Sequence, residues 1–222
     1  MDTRPADPPC ETFRALYGGK RGLLVESLLV LVATLVLALW LRSPALWFVL
    51  PFAVITLTRR PYEPYGLTWK DPGSVGFHIR TALVVFGGYA LLYCAFASLA
   101  LGRHFVPTLP PNLAEAAFVQ LVVVGLCEEF FFRGYLQTQL NAVYGRPYRF
   151  LGAQWGRGLI YAALLFGLCH IVTGDLSRMR VFFFGLFAGW LRERTGTIAV
   201  PAAYHGFANL LQDVLGRSMV EP

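Results

Sequence analysis

Apolar segments long enough to cross a lipid bilayer recur along this chain, and they constrain its fold more than any other feature. Of the 222 residues, 56% are hydrophobic and only 14% are charged, and the mean hydropathy is positive. This composition lies outside the usual range of soluble globular domains. The sequence therefore predicts an all-α, polytopic integral membrane protein with about seven to eight transmembrane helices.

The seven spans that can be read from the sequence are separated by short polar, Gly-rich or Pro-rich stretches. They are 22–41, 44–57, 81–101, 113–140, 158–172, 180–191 and 198–215. Asn112, with Glu115 three residues later, is typical of the capping box that starts a helix, here the fourth. The stretch 59–76 contains three prolines together with Trp69, Lys70 and Asp71, and it predicts an interfacial loop with aromatic anchors.

Four parts of the chain follow from these spans. They are a polar N-terminal tail (1–21), the N-terminal spans with the interfacial loop (22–111), the C-terminal spans (112–216) and a short C-terminal tail (217–222). The first span is too long for the core of a signal peptide and lacks a small-residue cleavage site after it, so it is predicted to be a retained anchor. We find no internal repeat.

The basic residues predict the orientation, because cytoplasmic loops of membrane proteins retain Lys and Arg. With seven crossings and a cytoplasmic N-terminus, twelve basic residues fall on the inner side and five on the outer side. The net charge of +6 is therefore better explained by topology than by nucleic-acid binding, since the basic residues form no stripe on one face. We predict no nucleic-acid partner. The lipid bilayer is an expected partner.

The fourth span contains charge in an otherwise apolar run. Two adjacent carboxylates, Glu128 and Glu129, are followed by three phenylalanines and then by Arg133. Ionised groups inside a membrane are costly and indicate either function or a paired structural site. Residues four apart share a helix face, so Glu129 is predicted to pair with Arg133. Glu128 is rotated by about 100° and is left without a partner on its own helix.

The later spans add three polar residues, which are His170, His205 and Asn209. His205 and Asn209 are four residues apart and point the same way on a helix. At about 1.5 Å per residue, Glu128 and His170 lie roughly 18 Å, and His205 roughly 10 Å, from the predicted cytoplasmic ends of their helices. A single polar cavity inside the bilayer is therefore geometrically possible.

Each of these residues also has a structural interpretation. A lone His or Asn in a membrane helix is more often a partner in a helix–helix hydrogen bond than a catalyst. We take Glu129 and Arg133 as a supporting pair, and the phenylalanines 130–132 and 182–184 as packing or lipid-facing residues. The structural interpretations do not explain why an unpaired Glu, two His and an Asn fall at matching depths.

The motifs Glu128-Glu129-x-x-x-Arg133, Phe166-x-x-x-His170 and His205-x-x-x-Asn209 together resemble the CAAX prenyl protease and bacteriocin-processing (CPBP) family, which includes the Rce1-type CAAX endopeptidases. The resemblance covers about residues 112–212. It implies a glutamic intramembrane endopeptidase with Glu128 as general base and His170 holding the water. It also implies that His205 and Asn209 steady the oxyanion, with Glu129 and Arg133 in support, and that 112–216 is the catalytic core. The absence of a zinc-type motif and the pairing of Glu129 with Arg133 predict that catalysis needs no metal, and no cofactor is expected.

Other functions stay open at this point. A zinc peptidase would use Glu128, His170 and His205 as ligands, but the chain has no HExxH motif. A transporter would use intramembrane Glu and His as a proton relay, and a non-catalytic immunity protein would keep the motifs without the reaction. The predicted substrate is a membrane-associated protein or peptide, in peptide maturation or in processing of a C-terminal anchor. The predicted location is a bacterial inner membrane.

Overall fold

A computed structural model describes residues 19–68, 73–172 and 175–221. The described residues are mostly helical, as predicted. The helices are α1 (Gly19–Leu41), α2 (Leu46–Leu57), α3 (Val75–Leu101), α4 (113–144), α5 (Arg157–Ile171), α6 (Val181–Thr195) and α7 (Ala199–Ser218). The short strands are β1 (His104–Phe105), β2 (Tyr148–Phe150), β3 (Ala153–Trp155) and β4 (Met219–Val220). A helix therefore lies at the place of each predicted span.

Two of the helices, α1 and α3, are long and apolar enough to cross a membrane, and α2 and α5 are shorter apolar helices. The fourth helix has apolar stretches as well, but they are interrupted by Glu128, Glu129 and Arg133. The membrane character of the chain rests on these spans together with the family comparison below. The number of crossings and the cytoplasmic N-terminus stay predictions.

The helices run up and down between two ends of the bundle. At one end, the loop after α2 contacts α6 and α7: Arg192 donates to the Pro64 carbonyl at 2.7 Å, and the Ile198 amide donates to the Gly66 carbonyl at 3.1 Å. We call this the Pro64 end. At the other, β1 after α3 pairs antiparallel with β4 after α7, with His104 opposite Val220. We call this the Val220 end.

The fourth helix begins where the sequence predicts. Asn112 Oδ1 accepts from the Glu115 amide at 3.2 Å, and Asn112 Nδ2 donates to the Glu115 carboxylate at 3.0 Å. The cap satisfies one of the free N–H groups of the first turn. Unlike in the usual capping box, the Glu carboxylate binds the side chain of the cap residue rather than its backbone amide.

Inside α4 the helix is not regular. Two stretches of π-helix, Val119–Leu126 and Phe130–Leu136, flank one short α-helical stretch, Cys127–Glu129. The sequence predicts a regular helix here and gives no sign of these wider turns. π-Helical turns in α-helices occur frequently at functional sites, and they change which side chains share a face. The two carboxylates therefore lie at the α-helical step between the two π-helical stretches.

The three phenylalanines after the Glu pair are packing residues and not lipid-facing ones. Phe130, Phe131 and Phe132 are at most 1% exposed, and Trp47 of α2 lies 4.8 Å from the Phe131 ring, centre to centre. These rings fix the second helix against the fourth. Among the phenylalanines 182–184, Phe183 is 71% exposed and therefore lies at the surface of the bundle.

Two helices are longer than predicted, so the polar stretches between the helices are shorter. The third helix begins at Val75, earlier than the predicted 81, because Ser74 caps it by accepting from the Phe77 amide at 3.2 Å. The fourth continues to Tyr144, and the loop after it contains the β2–β3 hairpin. The predicted anchors Trp69, Lys70 and Asp71, and residues 1–18 of the predicted tail, lie outside the described residues.

Candidate active site

Helices α4 and α7 approach closely at two glycines, and this contact aligns their polar residues. A Cβ added to Gly206 would lie 2.6 Å from the Leu121 Cα, and one added to Gly125 would lie 2.9 Å from the Ala202 carbonyl oxygen. Small residues of this kind let membrane helices pack backbone to backbone. The contact places His205 beside Glu129, and Asn209 beside Gln120.

Glu129 is completely buried and joins two cationic or donor side chains. Its Oε1 lies 3.0 Å from Arg133 Nη1 and 2.8 Å from His205 Nδ1. The predicted pair with Arg133 is present, one turn along the same helix. The contact with His205 was not predicted, because it joins residues far apart in the sequence. Glu129 therefore orients the His205 ring with its Nδ1–H as donor.

Arg133 is held by an aromatic ring as well as by Glu129. Its guanidinium carbon lies 4.3 Å from the centre of the Phe166 ring, and its side chain is fully buried. A cation at this distance over an aromatic face is attracted to it. The first residue of the motif Phe166-x-x-x-His170 thus has a physical role. Phe166 links Arg133 to the helix that carries His170.

The orientation of His170 is fixed by its own helix. Nδ1 lies 2.8 Å from the Phe166 carbonyl oxygen, which can only accept, so Nδ1 carries a proton. In the neutral ring, Nε2 is then an acceptor with its lone pair directed away from this bond. This nitrogen lies 3.8 Å from Glu128 Oε2.

Glu128 lies between the two histidines without a direct hydrogen bond to either. Its Oε2 is 3.8 Å from His170 Nε2 and 3.9 Å from His205 Nε2, and it is buried without a hydrogen-bond partner among the described residues. These gaps are too long for direct hydrogen bonds. They suit one bridging water, because a water about 2.8 Å from each of two atoms spans separations of this size.

Asn209 lies one helical turn from His205, and the structure places it against α4 rather than against Glu128. Its Nδ2 donates to Gln120 Oε1 at 2.9 Å. Both side chains line an open groove of about 750 Å³ that runs toward the Val220 end, where Arg178, Gly216 and Arg217 also line it. In the sequence, Gln120 is a polar residue in the apolar run ahead of the Glu pair.

The six predicted site residues therefore fall into two adjacent groups. Glu128, Glu129, Arg133, His170 and His205 form one cluster, and Asn209 lies beside it in the groove. The roles assigned to them stay predictions. Two partners were not predicted from the sequence, Phe166 as the ring under Arg133 and Gln120 as the partner of Asn209. Only the unusual polarity of Gln120 in an apolar run pointed to it.

Glu128, His170 and His205 are residue types that bind metal ions, and Cys127 and Cys169 are their neighbours in the sequence. Within residues 19–68, 73–172 and 175–221, no group of three or more His, Cys, Asp and Glu side chains has the arrangement of a metal site. Cys94, Cys127 and Cys169 are free thiols. The distances from Glu128 to the two histidines also exceed the roughly 3.3 Å expected between two ligands of a tetrahedral zinc.

A buried carboxylate thus lies between two histidines in a bundle of apolar helices. The comparison with protein families indicates the class of protein. Residues 110–211 match the family described as type II CAAX prenyl endopeptidase, Rce1-like. The match confirms the family resemblance predicted from the three motifs.

This family implies a protease, of the CAAX-endopeptidase type, that acts on a membrane-associated protein. The family and the two long apolar helices α1 and α3 together indicate a membrane protein. The match begins at residue 110, so α1, α2 and α3 lie outside it. Comparisons with curated proteins and with solved structures gave no match.

Proposed function

We propose that the protein is a glutamic intramembrane endopeptidase, in which Glu128 activates a water that hydrolyses a peptide bond of a membrane-associated protein or peptide. One observation carries this proposal. Glu128 Oε2 is buried, has no hydrogen-bond partner among the described residues, and faces two histidine nitrogens at 3.8 and 3.9 Å. A carboxylate in this position is poised to accept a proton from a water held between the three groups.

The water would be held by two acceptors. One of its protons points to Glu128 and the other to His170 Nε2, which is the acceptor of the neutral ring because Nδ1 donates to the Phe166 carbonyl. Glu128 takes the first proton as the water oxygen attacks the carbonyl carbon of the substrate. When the C–N bond breaks, the same carboxyl returns the proton to the leaving nitrogen, so the enzyme is regenerated.

The negative oxygen that forms on the substrate needs donors. His205 supplies one if its Nε2 is protonated, and Glu129, 2.8 Å from Nδ1, compensates for the positive charge of that form of the ring. Asn209 supplies a second, because an amide nitrogen has two protons and only one is used by Gln120. Arg133, 3.0 Å from Glu129, holds that carboxylate in place beside His205.

The structure distinguishes the two adjacent glutamates, and the test uses that difference. Glu128→Gln keeps the shape of the side chain but cannot accept a proton, so turnover should fall by about a hundredfold or more, with an unchanged thermal midpoint. Glu129→Gln leaves Arg133 buried without its counter-ion, a change that destabilises by roughly 3–5 kcal/mol. Its thermal midpoint should therefore fall, and turnover should also decrease because His205 loses its orienting partner.

Turnover and thermal midpoint would be measured for both variants and for the wild type in one detergent, with equal amounts of folded protein. A Glu128→Gln protein that is unstable yet active, beside a Glu129→Gln protein that is stable and inactive, would show that the roles are reversed. An active and stable Glu128→Gln protein would contradict the proposed mechanism altogether.

A further inference from the structure

The amide pair Gln120–Asn209 has unused hydrogen-bonding capacity. Asn209 Nδ2 donates to Gln120 Oε1 at 2.9 Å, which leaves Gln120 Nε2 as a donor and Asn209 Oδ1 as an acceptor. Within the part of the chain that the structure describes, neither atom has a hydrogen-bond partner, and neither is sealed in the interior. Both residues line the groove. The groove wall thus presents one donor and one acceptor side by side.

This pairing is the complement of a peptide group. A backbone carbonyl needs a donor and a backbone N–H needs an acceptor, and an extended chain presents them at regular intervals. The complementarity holds for either orientation of the two amides. Exchanging the oxygen and nitrogen of both side chains keeps the bond between them and again leaves one donor and one acceptor facing the groove.

The position of the pair relates it to the site. Gln120 precedes Glu128 by eight residues through the π-helical stretch Val119–Leu126, and Asn209 follows His205 by four, about 6 Å along α7. That distance is close to two residues of an extended peptide. The close contact of Gly125 and Gly206 keeps the two helices at a fixed separation along this stretch.

We infer that Gln120 and Asn209 form a main-chain binding subsite, which holds one peptide group of an extended substrate about two residues from the scissile bond. The inference rests on the proposed function and deepens it, because it assigns Gln120 a role in substrate binding. The subsite binds the backbone of the substrate and not its side chains. It aligns the substrate between the groove and Glu128 whatever its sequence.

The groove also gives the direction of approach. Its lining residues Gly216 and Arg217 belong to the last turn of α7, and Asp213 pairs with Arg217 at 2.9 Å. The charges at its rim are therefore partly balanced, and the amide pair lies deeper, toward Glu128. The substrate segment held by the pair enters from the Val220 end of the bundle, opposite the Pro64 end.

The test compares two single variants in the groove. Gln120→Leu removes the donor and the bond to Asn209, whereas Gln212→Leu changes an exposed groove residue that has no hydrogen bond among the described residues. The probes are two internally quenched peptides in detergent micelles, one ending in a farnesylated CAAX sequence and one with an unprenylated apolar helix. For the probe that the wild type cleaves, Gln120→Leu should raise KM about tenfold, and kcat should fall by a smaller factor because Asn209, the second oxyanion donor, loses the partner that holds it. Gln212→Leu should change neither.

A second series of peptides separates binding from a structural role. Each backbone N–H near the scissile bond is replaced in turn by an ester oxygen, which removes one donor. At one position the replacement should raise KM about tenfold in the wild type and leave it unchanged in Gln120→Leu, where the subsite is already lost. Rescue by Gln120→Asn in part, but not by Gln120→Glu, is expected because the carboxylate has no donor.

The outcomes are distinguishable. If Gln120→Leu lowers the thermal midpoint and leaves KM unchanged, the amide pair only joins two helices, and the inference is wrong. The same follows if every ester raises KM equally in both proteins. If the wild type cleaves neither probe while both peptides bind to it, the proposed function itself is contradicted, and the subsite with it.

Discussion

Two carboxylates lie between the helices of this bundle in opposite states of hydrogen bonding. Glu26 of α1 accepts from Arg60 at 2.8 Å, from Gln139 at 3.0 Å and from the Tyr135 hydroxyl. Glu128 Oε2 accepts from no group among the described residues. Both regions use α4, because Tyr135 and Gln139 belong to the part of that helix that follows the Glu pair.

In the proposed mechanism, this difference separates a structural site from a chemical one, and Glu129, whose Oε2 is also buried without a hydrogen-bond partner among the described residues, belongs to the chemical one. Buried polar groups normally find partners, and a satisfied network fixes the packing of the helices around it. Glu26 joins the N-terminal helices, which lie outside the family match, to α4. Glu193 is similar, since it accepts from Gln137 and Asn141 at 2.6 Å each. An unsatisfied carboxylate costs stability, and such a cost is expected where a substrate or water must bind.

The largest effect should come from the cluster around Glu26. Glu26→Gln leaves the Arg60 guanidinium, whose side chain is 1% exposed, without its counter-ion. Breaking a buried ion pair costs roughly 3–5 kcal/mol, and we expect the lower end of that range because the Glu26 side chain is 22% exposed. The thermal midpoint should fall, whereas turnover per folded molecule should stay within about twofold of the wild type.

The matched control is Glu63→Gln, which changes an exposed carboxylate in the loop after α2 and should shift the free energy of unfolding by no more than about 0.5 kcal/mol. Thermal unfolding of the three proteins is followed in one detergent. Equal midpoints for Glu26→Gln and Glu63→Gln would show that the cluster around Glu26 does not stabilise the bundle. The structural role assigned to Glu26 would then be wrong.

The smallest expected effect concerns metal removal. If Glu128 and the two histidines hold a water, dialysis against a strong chelator should leave turnover unchanged, and the purified protein should contain no stoichiometric zinc. Metal content is measured together with activity, before and after dialysis. A loss of activity that zinc alone restores would show that Glu128, His170 and His205 act as ligands, which is the alternative left open by the sequence.

The sequence predicts those features of the fold that depend on neighbouring residues. The apolar runs locate the helices, Asn112 and Glu115 mark the start of α4, and the spacing of Glu129 and Arg133 gives their ion pair. All three depend on residues within one helical turn of each other or on a continuous apolar run. The family resemblance adds the residues that belong to one site.

The remaining features depend on contacts between distant residues. The bond from His205 to Glu129 and the pairing of Gln120 with Asn209 form only where α4 and α7 pack together, and no local sequence pattern marks the π-helical stretches of α4. The burial of Arg60 also depends on a contact between distant residues and was not predicted. The basic-residue count treats it as a cytoplasmic loop residue, but the structure buries it against Glu26. No local pattern distinguishes it from its exposed neighbour Arg59.

The central claim is that the unsatisfied carboxylate of Glu128 accepts a proton from water, and chemical rescue tests it most directly. Glu128→Ala removes the base and leaves a small space beside His170 and His205. Adding formate should restore turnover in proportion to its concentration, to at least about tenfold above the unrescued rate, since a small carboxylate can then act as the base. The Glu26→Ala protein should show no dependence on formate. A folded Glu128→Ala protein that keeps wild-type turnover, or that formate does not rescue at any concentration, would contradict the claim.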